Sequence, residues 1–349
     1  MSRLRTGFHC SVALSIGFLA GPLPADDFDD QPFEIRLWSA MSRSISSTDA
    51  IGRQASVAYP SGSSDNPAGS DVRDFELLNT RVYACAGTHH VLFSEGAWIA
   101  AGDVNGFLRL GGGGTLAFGY LRISTLEGRT RQGFNDVFRN NEYGIRYGRK
   151  VHAKGYIGVS IRFRDMDLEY DDTFQDLPRR TRNHSFGGSV SVGGMWRPNS
   201  KWTFGSVLDA GWIDSDVQGA VSLPGGGDLP FQLEITTRSV QVKTGLGWAI
   251  APAVTCYVDG QYFHIGNRMY AIDLGRFYWG GDIRLSRMFS LMAGASLDTL
   301  AQASASTGIG ISLSPGNKIK MTYQYNPLPD VDHEFGKGHI VSATVVVGF

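Results

Sequence analysis

Apolar and polar residues alternate along most of the chain from Asp74 to Phe349. The pattern is clearest in residues 185–196, 239–248, 289–297 and 318–326. In the first of these stretches one face carries Phe186, Val190, Val192 and Trp196, and the other carries Ser185, Ser189, Ser191 and Met195. Successive side chains of a β-strand point to opposite faces, so each stretch predicts a strand with one apolar face. A register slip of one residue would exchange the two faces, and the pattern therefore specifies strand pairing.

The predicted strands are joined by connections that alternate in length. Short connections are expected at 197–200, 251–252, 286–288 and 314–317, and longer ones near 171–183, 219–230, 265–273 and 326–337. Transmembrane barrels have short turns at one end and longer loops at the other, whereas a soluble sandwich does not require this rhythm. Counting back from Phe349 gives 13 or 14 strands, and we predict 14. Aromatic residues near several strand ends suit an interfacial girdle: Trp196, Trp202, Trp248, Tyr257 and Trp279.

The final predicted strand, residues 338–349, has one face that is almost wholly apolar and ends on Phe349. It resembles the last strand of bacterial outer-membrane barrels, although Thr344 stands where that pattern usually has glycine. The resemblance implies that Val345, Val347 and Phe349 form the signal recognised by the barrel assembly machinery. The alternative is an edge strand of a soluble sheet, but an unpaired apolar strand of this length would promote aggregation.

Composition is compatible with a barrel and argues against several other classes. Beyond the N-terminus, no run approaches 18 apolar residues, so no helical membrane span is predicted. Residues 1–25 have the features of a signal peptide: Arg3 and Arg5, an apolar centre, and a possible cleavage site at Ala25. The mature chain would carry 30 basic and 33 acidic residues, which does not favour nucleic acid as a partner. Cys85 and Cys256 lie on different predicted strands, and we do not expect them to form a disulfide.

Residues 26–73 lack sustained alternation and end near the sequence Asn66-Pro67-Ala68-Gly69. Proline restricts both itself and the residue before it, so this sequence predicts a stiff turn. The segment is too polar and irregular to face lipid, because unpaired backbone groups there are costly. We therefore expect it to lie inside the barrel, with the turn near the periplasmic end and beside the polar faces of Ser189, Gln241, Ser290 and Lys320. A free periplasmic tail is the alternative.

The Asn-Pro-Ala-Gly turn and the strands that follow it resemble the FadL family of outer-membrane transporters, and most closely the PorV and UPF0164 group. Residues 50–125 carry most of the resemblance, through the stretches at 77–80, 89–93, 98–104 and 114–121. The Pro-containing turn at 196–205 is similar to one in FadL-type barrels. The resemblance implies that the N-terminal segment is a hatch inside the barrel and that a hydrophobic small molecule passes through the lumen. The resemblance to PorV-type proteins implies an alternative function, a scaffold for secreted proteins.

Three groups of polar residues are candidates for binding or chemistry. Asp165, Asp167, Glu169 and Asp171 share one strand face and could hold a hard cation, although a solvated face explains them as well. Arg179, Arg180 and Arg182 are candidates for contact with lipopolysaccharide phosphates, or for a charged exposed loop. His89, His90 and His333 have no serine, asparagine or aspartate at a spacing that suggests a catalytic site, and no Asp–His pair like that of barrel proteases is expected.

The sequence thus predicts an all-β protein: a transmembrane antiparallel β-barrel of about 14 strands with a hatch segment in the lumen. The predicted divisions are a signal peptide (1–25), the hatch (26–73, including Asn66, Pro67, Ala68 and Gly69) and the barrel (74–349). The expected location is the outer membrane of a Gram-negative-type bacterium, in contact with its lipids. The expected function is a channel for small hydrophobic compounds, with no enzymatic activity, cofactor or metal, and the PorV-like scaffold is the alternative.

Overall fold

The computed structural model describes residues 33–42, 66–71, 82–110, 113–127, 137–174, 177–314 and 317–349. Its fourteen strands form a closed antiparallel barrel in which each strand pairs with its neighbours in sequence and β1 pairs with β14. The prediction of a 14-stranded antiparallel barrel is confirmed. The predicted signal peptide and most of segment 26–73 lie outside the described residues.

The strands lengthen and shorten around the barrel. Their bounds are β1 Val82–Phe93, β2 Trp98–Leu110, β3 Gly114–Glu127, β4 Val137–His152, β5 Gly155–Phe174, β6 Leu177–Trp196, β7 Trp202–Ser222, β8 Asp228–Ala251, β9 Val254–Gly266, β10 Ala271–Arg284, β11 Phe289–Asp298, β12 Ala303–Ser314, β13 Asn317–Tyr325 and β14 Gly338–Gly348. The four longest, β5 to β8, are consecutive, so one side of the barrel is taller than the rest. In the part of the chain that the structure describes, two short helices accompany the strands, α1 at Phe33–Met41 and α2 at Asp332–Phe335. Among the described residues, no helix is long and apolar enough to cross a membrane.

Strand faces follow the alternation in the sequence. On β14, Val341 and Val345 are 49% and 45% exposed on the outer wall, while Ile340, Ser342 and Thr344 are buried on the inner wall. The same division holds on β6, where Phe186 and Val192 are exposed and Ser191 is buried. Large apolar side chains therefore cover the outside of the barrel, where a water-soluble protein would place polar groups.

The two ends of the barrel differ. The end that carries Val82 and Phe349 is here called the turn end, and most of its connections, such as 252–253, are very short. The opposite end is the loop end. Its longest described connection, residues 326–337, contains a 3₁₀ turn at Pro329–Val331 followed by α2. The predicted long connection near 326–337 is confirmed.

Three other predicted long loops are wrong. Strand β5 continues to Phe174 and β6 begins at Leu177. Only 223–227 separate β7 from β8, and only 267–270 separate β9 from β10. The charged residues that suggested a loop are cross-strand partners, as in the pairing of Glu169 with Arg182 and of Asp171 with Arg180. Opposite charges on directly paired residues stabilise a sheet, so the strands extend although their outer face is charged here.

The aromatic residues form only part of the predicted girdle. Trp202 and Trp248 are cross-strand partners whose parallel rings stack 5.3 Å apart near the turn end. Trp196 and Trp279 also face outward. The prediction for Tyr257 is wrong. The alternation of β9 places Val258 on the outer wall, so Tyr257 is buried on the inner wall.

Candidate functional site

The lumen is apolar toward its loop end. Helix α1 contributes Ile35, Leu37, Trp38 and Ala40 to a buried cluster that also contains Val331 and Phe335 of the connection before β14. The barrel wall completes the cluster with residues near the loop ends of its strands, namely Val91, Phe93, Phe138, Met166, Leu168, Tyr170, Ile213, Phe263, Ile265, Ile272, Leu274 and Ile340. A lumen of this kind differs from the polar, water-filled interior of a porin.

A cavity of about 100 Å³ lies in the middle of the lumen. Its apolar lining includes Trp38 and Met41 of α1, Ile213 of β7, and Phe263 and Ile265 of β9. A cavity of about 150 Å³ holds one benzene molecule in an engineered protein. The cavity is therefore smaller than a site for one aromatic ring, and a ring-sized ligand needs it to enlarge.

The opposite wall of the cavity is polar and charged. Arg162 binds Asp209 at 2.7 Å, and Ser191 donates a hydrogen bond to the same carboxylate. Lys243, which also lines the cavity, lies 3.6 Å from Asp259, and both side chains are fully buried. Charges removed from water need partners, and these pairs supply them. The cavity thus joins an apolar wall near the loop end to a polar wall on β5–β9.

Arg276 of β10 ties α1 to the connection before β14. Its guanidinium donates hydrogen bonds to the Ser39 hydroxyl at 2.7 Å, the Ser39 carbonyl at 3.1 Å and the Ser42 hydroxyl at 2.8 Å. It also forms an ion pair with Asp330 at 3.3 Å, and neither side chain is exposed. The Ser39 hydroxyl in turn donates to Asp330 at 3.1 Å. Three segments that are distant in sequence are therefore joined by one buried network.

The described part of the predicted hatch turn lies inside the barrel near its turn end. The Asn66 side chain accepts a hydrogen bond from the Ala68 backbone N–H at 3.0 Å and donates one to the Gly194 carbonyl at 2.9 Å. Asn66, Pro67, Ala68 and Gly69 are buried. A Cβ atom at Gly193 would lie 2.1 Å from the Asn66 Oδ1 atom, and one at Gly158 would lie 2.3 Å from the Pro67 carbonyl carbon. Only glycine at these two wall positions leaves room for the turn.

A His–Asp pair that the sequence analysis did not expect lies on the inner wall. His89 Nε2 is 2.6 Å from Asp103 Oδ1, and Asn105 donates to the other carboxylate oxygen at 2.7 Å. Cross-strand pairing of β1 and β2 brings together these two residues, which are 14 positions apart in the sequence. His89 is 1% exposed, so a substrate does not reach its ring in this conformation. His90 lies near Trp98, and the side chain of His333 is not among those described.

The candidate lipopolysaccharide arginines lie on β6 at the loop end. Arg180 and Arg182 are 80% and 73% exposed and face Asp171 and Glu169, respectively, in ion pairs on the outer face of the tall sheet. Arg179 falls on the opposite face. Asp167 is 2.9 Å from His184. Within the described residues, no group of His, Cys, Asp and Glu is arranged to hold a metal ion.

The remaining candidate residues are also located. Cys85 is buried on β1, Cys256 is partly buried on β9, and both are free thiols. Val345 and Val347 belong to β14, and the Phe349 backbone N–H donates to the Val82 carbonyl at 2.9 Å, which closes the barrel at the turn end. Their predicted role in assembly stays a prediction.

Sequence reasoning missed α1 and the Arg276 network. The apolar residues of α1 occur in a segment otherwise rich in Ser, Asp and Gly, so they did not suggest a packed element. We expected this segment to meet polar lumen faces, but α1 packs in an apolar cluster because the loop-end wall is apolar. A usable signal was the position of Lys243 and Arg276 on inward faces of strands, since a buried cation predicts a buried partner.

Comparison with known proteins identifies the fold. No protein-family model and no curated protein sequence matches the chain. Among solved structures, the CymD monoaromatic hydrocarbon channel is similar with a TM-score of 0.61 and 11% identity, over 86% of this chain and 98% of that one. The Ralstonia pickettii toluene transporter TbuX has a TM-score of 0.59 and 11% identity, over 81% and 91%. A Pseudomonas aeruginosa FadL homologue has a TM-score of 0.57 and 12% identity, over 86% and 98%.

These similarities define the class of barrel to which the fold corresponds. The chain shares the fold of these barrels, as the sequence resemblance to the FadL family predicted. At 11–12% identity they establish the fold and not the transported compound. The closer relation to the PorV and UPF0164 group stays a prediction, and nothing in these similarities supports the scaffold alternative.

Proposed function

We propose that this protein is an outer-membrane channel that passes small hydrophobic compounds. The observation that carries the proposal is the apolar cluster between α1 and the loop-end wall, directly above the central cavity. Burial of an apolar compound against such a surface is favourable in proportion to the area removed from water. A channel for ions or sugars would instead need a polar path through the same region.

The membrane location is part of this proposal. Exposed apolar side chains surround the barrel, and a bilayer is the solvent that suits such a wall. The fold is shared with proteins described as a monoaromatic hydrocarbon channel and a toluene transporter, which supports an outer membrane of the Gram-negative type. The loop end then faces outward and the turn end faces the periplasm. Arg180 and Arg182 would meet lipopolysaccharide phosphates at the outer surface, since guanidinium groups bind phosphate well.

The proposed route has two barriers. A compound enters from the loop end between α1 and the wall around Phe263 and Ile265, and occupies the cavity once α1 shifts. It leaves at the turn end when the segment that contains the Asn66–Gly69 turn moves away from β5 and β6. The described parts of residues 26–73 contribute to both barriers, in agreement with the proposed role of this segment as a hatch.

A crystal structure with a heavy-atom ligand tests this function. Crystals of the purified barrel soaked with bromobenzene should show anomalous bromine density beside Trp38 and Phe263. A structure of the Trp38→Ala variant should show the same site with higher occupancy, because truncation enlarges the cavity by the volume of an indole. Bromine density confined to the outer, lipid-facing wall in both structures would contradict the proposal.

A further inference from the structure

The connection 326–337 enters the lumen instead of covering it from outside. Val331 and Phe335 are buried within the same apolar cluster as α1, and the Phe335 ring lies 5.2 Å from that of Phe93 on β1. Asp330, one residue before Val331, is also buried. The connection is thus packed against α1 and against the barrel wall in one piece.

Arg276 binds both elements at once through its charge and its hydrogen bonds. It donates to the Ser39 and Ser42 hydroxyls of the α1 segment and pairs with Asp330 of the connection. The Ser39 hydroxyl also donates a hydrogen bond to Asp330, so α1 and the connection contact each other directly as well as through Arg276. Each of the three segments therefore stabilises the position of the other two.

This geometry makes separate movement of the two elements costly. If the connection withdrew alone, Arg276 would stay buried and lose the Asp330 carboxylate. If α1 withdrew alone, Arg276 and Asp330 would lose the hydroxyl and carbonyl groups that complete their hydrogen bonding. Buried charges that lose part of their partners are strongly destabilised. If both elements withdraw together, water reaches Arg276 and replaces all of these contacts.

We propose that α1 and the connection 326–337 form a single gate at the loop end, held closed by Arg276. This proposal goes beyond the channel function. The barrier at the loop end consists of two elements that open together, and Arg276 is the side chain that couples them. The gate also explains how a cavity too small for an aromatic ring becomes accessible. When the Arg276 contacts are lost, α1 and the connection 326–337 are both released from their places beside the cavity.

Thiol labelling of the full-length barrel tests the coupling without any transported compound. In a Cys85→Ser/Cys256→Ser background, Ala40→Cys reports on α1 and Val331→Cys reports on the connection, since both positions are buried. A polar maleimide is added to the purified protein and the rate of labelling is measured by mass. Arg276→Met should increase the labelling rate of both reporters by at least about tenfold, because it removes the shared partner.

Two further variants separate a gate from a general loss of stability. Asp330→Asn changes only the connection, and it should still increase labelling at Ala40→Cys on α1. Asp103→Asn removes a buried acidic partner elsewhere on the inner wall, that of His89, and should leave both labelling rates unchanged. Heat-modifiable migration on a gel confirms that each variant is a folded barrel.

The proposal is overturned by any of three results. Unchanged labelling of both reporters in a folded Arg276→Met barrel would show that Arg276 does not hold the elements. Faster labelling of one reporter alone would show that the elements move separately. An increase of both rates in Asp103→Asn as large as in Arg276→Met would attribute the exposure to loosening of the whole barrel.

Discussion

The side-chain amide of Asn66 donates a hydrogen bond to the backbone carbonyl of Gly194, 2.9 Å away on the inner wall of β6. The two residues are 128 positions apart, and this contact docks the turn at 66–71 near the turn end of the barrel. The adjacent wall residue, Gly193, has no side chain, and the turn occupies the space that a side chain would need. The position of the turn therefore depends on the absence of a side chain at Gly193, as it does at Gly158.

Gly193→Ala should displace the turn. The added Cβ would meet the Asn66 Oδ1 atom at 2.1 Å, and overpacking of this kind costs about 1–3 kcal/mol. Because the turn obstructs the lumen in our account, single-channel conductance in planar bilayers should increase.

Gly194→Ala is the matched control for this experiment. A Cβ at Gly194 would have no atom within 4 Å, and its carbonyl would still accept from Asn66. Equal conductance of the two variants would show that the turn does not obstruct the pore. Deletion of residues 30–70 should increase conductance further, and a folded barrel with unchanged conductance would falsify the hatch.

A charge on the outer wall should be costly. Val345→Arg places a guanidinium on the lipid-facing side of β14, which costs about 2–4 kcal/mol near the bilayer midplane and less near an interface. Urea unfolding in lipid vesicles measures the loss of stability.

The control for Val345→Arg must face the lumen. Ser342 faces the lumen but is 3% exposed, so arginine there would also be destabilising. Lys320→Arg on β13 is a better control, since it keeps a cation on the inner side. An equal loss of stability in Val345→Arg and Lys320→Arg would contradict the assignment of Val345 to the lipid-facing side and Lys320 to the lumen.

Arg180 and Arg182 should contribute to binding of lipopolysaccharide. The Arg180→Ala/Arg182→Ala variant should retain less lipopolysaccharide per barrel after purification, by a few-fold, because two exposed guanidinium groups are lost. Phosphate analysis of the purified protein measures the difference. Lys201→Ala, in the 197–201 connection at the turn end, should retain as much as the unmodified protein, and a similar reduction in both variants would argue against a specific contact.

The mature protein should begin near Asp26. Mass spectrometry of the N-terminus after fractionation tests the predicted cleavage after Ala25. Recovery of intact Met1 in a soluble fraction would contradict both the signal peptide and the membrane location.

The barrel was predictable because the pattern that specifies each strand lies within that strand's own sequence. Alternation on β6 and β14 fixes which side chains face lipid, and the same physical rule applies to every strand. The height of β5–β8 was not predictable in this way, since Glu169 and Arg182 resemble loop residues until their cross-strand pairing is known. The interior was the least predictable part, because Ser39, Arg276 and Asp330 meet only after the barrel has closed. The role of Gly158 and Gly193 could not be predicted either, because nothing in the sequence distinguishes them from the other glycines in a chain that has 45.

Uptake of a small aromatic hydrocarbon by intact cells tests the channel most directly, because lipopolysaccharide makes the outer membrane itself a poor route. Ser239→Trp would fill the central cavity that Ser239 lines, whereas Val240→Trp places the same side chain on the outer wall. With equal amounts of folded barrel, uptake of radiolabelled toluene should exceed that of cells without the protein, persist in Val240→Trp and be lost in Ser239→Trp. Equal uptake with and without the barrel, or equal uptake by the two tryptophan variants, would contradict a hydrophobic compound passing through this lumen.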